Sequence, residues 1–538
     1  MTRRIEIRAR VAPSPEPPFE RLHDALVDEL LRGGELARER FPSRWTEDTS
    51  VRKLAEAKRA PLEPRLAQEL EDYHRRLGAS PASLEALNRL RRGEAVAALA
   101  GQQPAPLGGP LYSLHKTASA VGLAAVAEAR TGVPCVPMFW THSEDSDFDE
   151  IRGATIADSA LVVEELVLPA NIHPEGGLVG SIPVEPLADR CRLALERWAG
   201  LPAQAQASET IRQSFHAARD LGEAHSALML ALFGERGLVV VDPRLPAFRN
   251  AARPIIDRYL GAAEAMSSAA RHAGERLEQV LGRRPLADSA LDSFAFVIDD
   301  GLRRKVSVAE ARGMGPDRAL SPSVALRAVL QDGVFPTVAM ACGTAEIAYL
   351  AQLREVFEGL GVPPACPVPR LGATWLPPAA VALLEASGVG AWELVTNADA
   401  VLKHVAENQV PADVRGELER ARTESAAALE RFSASARRID SSLTQMVDSA
   451  RAKVDYQYAR LMEGLTAKLR HRLERQHPEW GRLRYYLMPG DRLQERTLAS
   501  LEVIAYRGLR VVEELCDLAA EGAQGAAQGR HEHLVLEL

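Results

Sequence analysis

The sequence predicts an α/β domain followed by a long helical arm. Three short apolar runs, at residues 95–100, 133–140 and 238–242, have the length and composition of buried strands. Segments with helical periodicity alternate with these runs, which is typical of α/β folds. After about residue 412 apolar residues recur every three or four positions, and this spacing indicates a long amphipathic helix.

The chain length and composition are those expected of a multidomain protein with no membrane segment. The chain has 538 residues, so two or three domains are expected. Its net charge of −8 argues against a general nucleic-acid binder, which needs a basic surface. The five cysteines are scattered without a CxxC pair, which argues against a disulfide framework or a structural zinc site. No signal peptide and no membrane-length apolar run is recognised, so we expect a cytoplasmic protein.

The elements follow one another in a regular order. Residues 1–20 are proline-rich and expected to be extended, and the pattern then stays helical to about residue 99. The run at 95–100 is predicted to be a strand because a glycine-rich loop and a new helix near Leu111 follow it. Beyond the three strands already named, further strands are predicted at 160–169 and 293–300, and residues 305–314 are predicted to be a strand that leads into a turn or short helix. Helices are predicted at 184–199, 205–233 and 247–284.

The C-terminal third is predicted to be one long helix with a partner. No proline occurs between Pro411 and Pro478, so the helix could reach about 100 Å. A second helix at 492–518 is expected to fold back along it. The predicted division is a core at 1–380 with insertions at roughly 151–235 and 247–290, a coiled-coil domain at 381–520, and a loosely ordered tail at 521–538.

The first candidate site residues follow the first predicted strand. Gly109 belongs to a loop whose backbone amides could face an anion at a helix N-terminus, although a plain turn is an equal alternative. Gln102 and Gln103 suit recognition of polar groups at the end of a strand. Lys116 can balance phosphate or carboxylate charge and His115 can donate to an oxyanion, or both are ordinary helix residues.

An acidic cluster follows the second predicted strand, next to Trp140. Its carboxylates, among them Glu144, Asp145 and Asp147, could bind Mg²⁺, orient a substrate amine or act as a base. The alternative is a helix N-terminus whose acids suit the helix dipole. The functional interpretation is favoured, because open α/β sheets bind ligands beyond the carboxyl ends of their strands.

Five motifs occur in the order and spacing of one known family. They are GQQPAPLGGPLY with HK shortly after it, VPMFWTHSEDSDFDE, LFGERGLVVVD, SPSVALRAVLQD, and PTVAMACGTAEIAYLAQL with a later VPR. Together they resemble the cysteine-adding enzymes of bacillithiol synthesis, a family of cysteine ligases, over nearly the whole chain.

The resemblance implies a Rossmann-like, nucleotidyltransferase-type core with helical insertions and a coiled-coil arm that supports a homodimer. It implies amide bond formation between cysteine and glucosaminyl-malate, the last step of bacillithiol biosynthesis. Because a free carboxylate must be activated to form an amide, activation by ATP with Mg²⁺ is the accompanying hypothesis. Lys116, Asp145 and Asp147 are the catalytic candidates, and no resident metal ligands are assigned. The substrate- or nucleotide-binding candidates are Gln102, Gln103, Gly109, His115, Trp140, Glu144, Arg327, Gln331, Glu346 and Tyr349.

Two departures from the family pattern leave alternatives open. The chain has Ala105 and Pro106 where relatives usually have a glycine, and Ser146 where a histidine is common. His142 is one candidate to replace that histidine. A non-catalytic dimeric scaffold with a decayed core is therefore a second interpretation, and a nucleotidyltransferase acting on another small substrate is a third.

Overall fold

The computed structural model of the chain describes residues 4–13, 23–216, 218–315 and 318–538. They form two compact units, one made of residues 1–378 and 491–538 and the other of residues 379–490. Of the proline-rich residues 1–20, which are predicted to be extended, residues 1–3 and 14–20 lie outside the described residues, and residues 7–11 form a strand. Within them, no helix is both long and apolar enough to cross a membrane.

The first unit begins with β1 (Ile7–Val11), α1 (Ala25–Arg32), α2 (Glu35–Arg40), α3 (Asp48–Lys58), α4 (Pro64–Arg76) and α5 (Pro81–Arg91). It continues with β2 (Val96–Gln102), α6 (Leu111–Thr131), β3 (Cys135–Thr141), α7 (Phe148–Ile151), β4 (Gly153–Ala157), β5 (Val163–Val167), α8 (Glu185–Arg197), α9 (Gln204–His216), α10 (Leu221–Phe233), β6 (Val239–Val241) and α11 (Pro246–Leu281). Next come α12 (Asp288–Leu291), β7 (Ala295–Asp299), β8 (Leu302–Lys305), α13 (Val308–Arg312), β9 (Leu320–Pro322), α14 (Val324–Val334), β10 (Thr337–Cys342), α15 (Thr344–Gln352), α16 (Arg354–Leu360), β11 (Cys366–Pro369) and β12 (Gly372–Leu376).

The second unit comprises α17 (Pro378–Ser387), α18 (Ala391–Thr396), α19 (Ala398–Asn408), α20 (Ala412–Ala436), α21 (Leu443–Gln476) and α22 (Pro478–Leu487). The chain then returns to the first unit with α23 (Ser500–Arg507), α24 (Arg510–Ala527) and β13 (His533–Glu537).

The central sheet is parallel, and its strands lie in the order β11-β10-β2-β3-β6. Numbered along the chain, this is the 3-2-1-4-5 order of a Rossmann-type fold. Every residue of β2 and β3 is buried, as expected for a parallel sheet with both faces covered by helices. The α/β prediction and the strands predicted at 95–100, 133–140 and 238–242 are therefore confirmed.

Smaller sheets come from the stretches that connect the central strands. β4 and β5 form an antiparallel hairpin, and β7 pairs with both β8 and β9. The strands predicted at 160–169 and 293–300 are confirmed by β5 and β7, and the one predicted from residue 305 is the end of β8 followed by α13. The β7–β9 sheet is important for the site because it contributes a wall of the main cavity.

The C-terminal residues complete the first unit, which differs from the predicted fold-back helix and loose tail. α24 packs along α6, and β13 pairs antiparallel with β1 and parallel with β12. Leu534, Val535 and Leu536 are buried as a result. Neither terminal strand was predicted, because each is short and pairs with a segment more than a hundred residues away.

The second unit contains a helical hairpin where one helix of about 100 Å was predicted. α20 and α21 run antiparallel, with Ser425 Oγ 3.0 Å from the Tyr458 hydroxyl and Arg422 paired with Asp455. With 25 and 34 residues, the two helices measure about 38 and 51 Å. The chain reverses where the Asp440 carboxylate accepts a hydrogen bond from the Ser442 amide, a turn signal that needs neither glycine nor proline.

α6 and α24 approach each other so closely that only glycine fits at Gly122. A β-carbon at this position would lie 2.5 Å from the backbone nitrogen of Ala520. We expect Gly122→Ala to lower the free energy of unfolding of the first unit by about 1–3 kcal/mol, because the two helices must move apart. Denaturant unfolding of the purified variant measures this change.

Gly522 on α24 provides the matched control, because a β-carbon there meets nothing within 4 Å. Gly522→Ala should stabilise the protein by about 0.5–1 kcal/mol through helix propensity. Equal effects of the two substitutions would show that close packing of α6 on α24 is not what requires Gly122.

Candidate functional site

A cavity of about 1080 Å³ opens at the carboxyl ends of β2, β3 and β10. The strand order reverses between β2 and β10, and open α/β sheets bind their ligands at this position. The cavity walls include seven of the predicted site residues: Gln102, Gln103, Lys116, Asp145, Arg327, Glu346 and Tyr349. The fold therefore brings together side chains that are up to 247 positions apart in the sequence.

Lys116 and Glu346 form an ion pair in the wall of this cavity. Lys116 Nζ lies 2.7 Å from Glu346 Oε2 and also donates to the Gly101 carbonyl at 3.2 Å and to Gln102 Oε1 at 3.3 Å. Glu346 in turn accepts from the Gly343 amide at the start of α15. A buried cation and a carboxylate are thus held side by side in fixed positions, which suits binding of a zwitterionic or anionic substrate.

The two adjacent glutamines have different partners. Gln102 donates to the Tyr112 hydroxyl at 2.9 Å, and Gln103 donates to Asp145 Oδ2 at 3.1 Å. Burial raises the pKa of Tyr112 to about 12, so its hydroxyl remains protonated. Asp145 also accepts from the Ser146 amide at 2.8 Å, which orients its carboxylate toward the cavity side of the loop.

His142 lines the cavity, whereas Ser146 does not. Its Nε2 atom is buried and has no hydrogen-bond partner among the described residues. The imidazole fits because the neighbouring strand has glycine at 101, where a β-carbon would lie 2.7 Å from Nε2. Burial lowers the pKa of His142 well below its usual range, and the charges of Arg327 and Lys116 lower it further. The imidazole of His142 is therefore neutral at pH 7.

Several cavity residues were not among the predicted site residues, although Glu150 belongs to the acidic cluster that was favoured as functional. Tyr112, Glu150, Arg303 and Arg496 line the cavity, as does Arg370, the arginine of the VPR motif. Burial raises the pKa of Glu150. Arg303 and Arg496 come from segments without a recognisable local motif, so only the folded chain shows that they belong to the site.

Gly109 and Asp147 lie outside the cavity walls and have structural roles. The Gly109 carbonyl accepts from the Ser500 amide, and the amides at the start of α6 are used by carbonyls of Leu498 and Pro110. The glycine loop therefore joins α6 to the returning C-terminal segment. Asp147 is exposed and caps the short α7 through the Glu150 amide at 3.1 Å.

Glu144, Trp140 and Gln331 also lie outside the cavity walls. Glu144 is paired with Arg249 at 2.7 Å and accepts from Ser321 Oγ, so its carboxylate ties the loop after β3 to α11 and β9. Trp140 is fully buried and packs edge-on against Phe248 in the core. Gln331 is buried on α14 with its Nε2 unpartnered among the described residues.

His115 belongs to a fully buried network behind the cavity. Its Nδ1 lies 3.1 Å from Glu495 Oε2, and its Nε2 accepts from Trp375 Nε1 at 3.0 Å. Glu495 also binds the guanidinium of Arg370, which reaches the cavity. His115 is therefore neutral and orients other groups, and it is not positioned to contact a substrate directly.

No group of three or more histidine, cysteine, aspartate or glutamate side chains among the described residues is arranged to hold a metal ion. The acidic cluster illustrates why: Glu144 is committed to Arg249, Asp147 caps α7, and Asp145 is bound by Gln103. The cavity instead offers cationic groups, with Arg303, Arg327 and Arg370 among its walls. This charge suits a substrate that carries carboxylates or phosphates.

The geometry defines an α/β enzyme of the Rossmann type with its site at the switch point of the sheet. Residues 18–371 match the family description "Bacillithiol biosynthesis BshC, N-terminal Rossmann-like domain", and residues 373–525 match its C-terminal coiled-coil domain. The chain belongs to this BshC family, which places it among the ligases of bacillithiol biosynthesis. The coiled-coil match covers residues 373–525, whereas packing groups residues 491–538 with the first unit.

Individual relatives carry the name "Putative cysteine ligase BshC". One from Koribacter versatilis is 29% identical over 85% of this chain and 87% of that protein. One from Geobacillus kaustophilus is 28% identical over 85% of this chain and 88% of that protein. One from Thermus thermophilus is 31% identical over 81% of this chain and 89% of that protein. The similarity thus extends over both units.

Buried histidines make the first unit sensitive to mild acid. Burial lowers the pKa of His74, His225, His531 and His533 to about 4. Between pH 6.5 and 4 the unfolded chain binds more protons, so stability falls as the pH falls. We expect a loss of about 1–2 kcal/mol per histidine by pH 5, measured by denaturant unfolding across this range.

His225→Leu removes one of these groups and should reduce the loss, whereas replacing the exposed His272 by Gln should leave the profile unchanged. Stability that stays constant from pH 7 to 4.5 would contradict the expectation.

Proposed function

We propose that the chain joins cysteine to glucosaminyl-malate by an amide bond, as the last step of bacillithiol biosynthesis. The observation that carries the proposal is the cavity at the switch point, where Lys116, Glu346, His142 and Asp145 converge. Membership of the BshC family and the names of its relatives support the same reaction.

The cavity residues suit the steps that such a reaction needs. We assign Gln102 and Lys116 to the carboxylate of cysteine, or to phosphate groups, because they supply a donor and a fixed cation. Asp145 binds the amine of the acceptor, and His142 takes a proton from that amine as its nitrogen attacks the activated carbonyl carbon. The new C–N bond forms as the bond to the leaving group breaks, with the electron pair departing on the leaving oxygen.

A free carboxylate must be activated before it can form an amide in water. ATP would supply this by converting the cysteine carboxylate to an acyl-adenylate with release of pyrophosphate. Lys116 and Arg370 in the cavity wall supply positive charge for the triphosphate, whereas no Mg²⁺ site is formed by the described side chains alone. Mg²⁺ is therefore assigned to the nucleotide and not to a protein cage.

The test is to incubate the purified protein with cysteine, glucosaminyl-malate and ATP·Mg²⁺ and to follow the product by mass spectrometry. We expect the amide product together with AMP and pyrophosphate. Lys116→Met should lower kcat/KM at least tenfold, because it removes the fixed cation and leaves Glu346 unpaired. His142→Ala should lower kcat with a smaller change in the KM values.

Assays that leave out one compound at a time distinguish the three candidate functions. Product formed without nucleotide would overturn activation by ATP, and ATP consumption that ignores cysteine would indicate a nucleotidyltransferase acting on another substrate. A folded protein that binds none of the three compounds in a thermal-shift assay would indicate the non-catalytic scaffold. Lys53→Met on α3, away from the cavity walls, is the control for loss of a lysine.

We also propose that a second copy of the chain covers the exposed apolar residues of the helical hairpin. Phe432, Ile439, Met446 and Leu461 are 56%, 83%, 59% and 60% exposed, which is unusual for large apolar side chains spread along one hairpin. A homodimer would bury them.

Light scattering of the wild type and of a Phe432→Glu/Met446→Glu double variant measures the oligomeric state. We expect a dimer for the wild type and a monomer for the variant, because two buried charges oppose association. Gln445→Glu adds charge at an exposed polar position and should remain dimeric. A monomeric wild type, or a dimer that survives the double substitution, would contradict the proposal.

A further inference from the structure

Two arginines in the cavity wall, Arg303 and Arg327, are held near each other without a close carboxylate partner for either one. Arg303 lies on β8, in the stretch between β6 and β10, and Arg327 lies in the first turns of α14. They therefore approach the cavity from a different part of the chain than Gln102 and Lys116.

The side chain of Arg303 is fixed but is not neutralised. It is only 10% exposed, and it donates to Ser321 Oγ at 3.2 Å and to the Pro322 carbonyl at 2.7 Å. Its guanidinium lies 3.8 Å from the centre of the Phe296 ring. The nearest carboxylate, on Asp145, is 3.8 Å away and already accepts from Gln103. These contacts orient the planar group without supplying a close anion.

The positive charge of Arg327 is compensated even less than that of Arg303. It hydrogen-bonds the Tyr349 hydroxyl, and among the described residues no carboxylate oxygen lies within 4.0 Å of its nitrogens. Nearby acids are committed elsewhere, since Glu346 pairs with Lys116 and Glu144 with Arg249. The only partner identified for its charge is therefore a neutral hydroxyl.

Taking a guanidinium group out of water is costly when its charge is poorly compensated, and two neighbouring guanidinium groups repel each other. Burial lowers the pKa of Arg303, and the charge of Arg327 lowers it further, although Asp145 and Glu144 oppose this. A fold does not usually retain such a pair unless a ligand with two negative charges relieves it. Arginine is also the side chain whose planar fork matches carboxylate and phosphate oxygens best.

We propose that Arg303 and Arg327 form a subsite for a dianionic group of a substrate. The inference rests on the proposed function, in which the acceptor carries a malyl dicarboxylate and the nucleotide carries phosphates. Because the cysteine carboxylate and the phosphates are assigned to the side of Gln102 and Lys116, the dicarboxylate of the acceptor is the expected occupant. Arg303 then determines acceptor specificity from an element that lies outside the central sheet.

The test uses Arg303→Met and Arg327→Met in the full-length protein. Arg304→Met is the matched control, because Arg304 is the next residue of the same strand, is 59% exposed and pairs with Glu310. Binding of L-malate, of the monocarboxylate lactate and of ATP is measured by calorimetry, and KM for the acceptor and for cysteine by the ligase assay. Arg303→Lys, which keeps the charge and loses the fork, guards against misfolding caused by the Met variant.

We expect wild type and Arg304→Met to bind malate more tightly than lactate, and the Arg303 and Arg327 variants to bind malate about tenfold or more weakly. KM for the acceptor should rise by a similar factor while KM for cysteine changes little. A loss of ATP binding in place of malate binding would keep the subsite and identify phosphate as its occupant. Unchanged affinity for both ligands in folded Arg303→Lys and Arg327→Met would overturn the inference.

The two proposals fail in different ways. If the wild type forms no product from cysteine and glucosaminyl-malate, the proposed reaction is wrong, but malate and ATP titrations still report on the subsite. If the wild type forms product and the arginine variants keep their KM for the acceptor, the reaction stands and the subsite is wrong.

Discussion

The buried carboxylate of Glu495 joins more of the first unit than any other single side chain described above. It accepts from Arg370, from His115 and from the Ala373 amide, and so links the returning C-terminal segment to α6, to β12 and to the loop before it. The neighbouring cation holds the pKa of this carboxyl well below its usual range, in spite of complete burial. Removing one member of such a cluster leaves an uncompensated buried charge, which is strongly destabilising.

This cluster also connects the fold to the cavity. Arg370 contributes to the cavity wall, but its orientation is set by Glu495, which comes from the segment that follows the helical hairpin in the chain. The return of residues 491–538 to the first unit is therefore part of how the site is built. α24 adds to this by packing on α6, the helix that carries Lys116.

The two sides of the cavity differ in how far their positive charges are balanced by carboxylates. Lys116 is balanced by Glu346 at 2.7 Å, whereas Arg303 has only a longer ion pair of 3.8 Å with Asp145, and no ion pair is found for Arg327 among the described residues. His142 stays neutral among these cations. A site with fixed pairs on one side and unbalanced arginines on the other can bind two differently charged substrates in separate positions, as a ligase must.

Helices, strands and site residues that have a pattern in neighbouring residues could be predicted from the sequence. The apolar run AVAALA, the LVVVD strand and the glutamines at the end of the first strand needed no tertiary information, and seven candidate site residues do line one cavity. Gly109, His115, Trp140, Glu144, Asp147 and Gln331 do not, because polar residues near a site serve equally well as caps, ion pairs and core residues. The folded chain was needed to show that Arg303 reaches the cavity, that the long helix is a hairpin, and that the last residues form a strand. Each of these features depends on contacts between segments that are far apart in the sequence, so the spacing of neighbouring residues does not predict it.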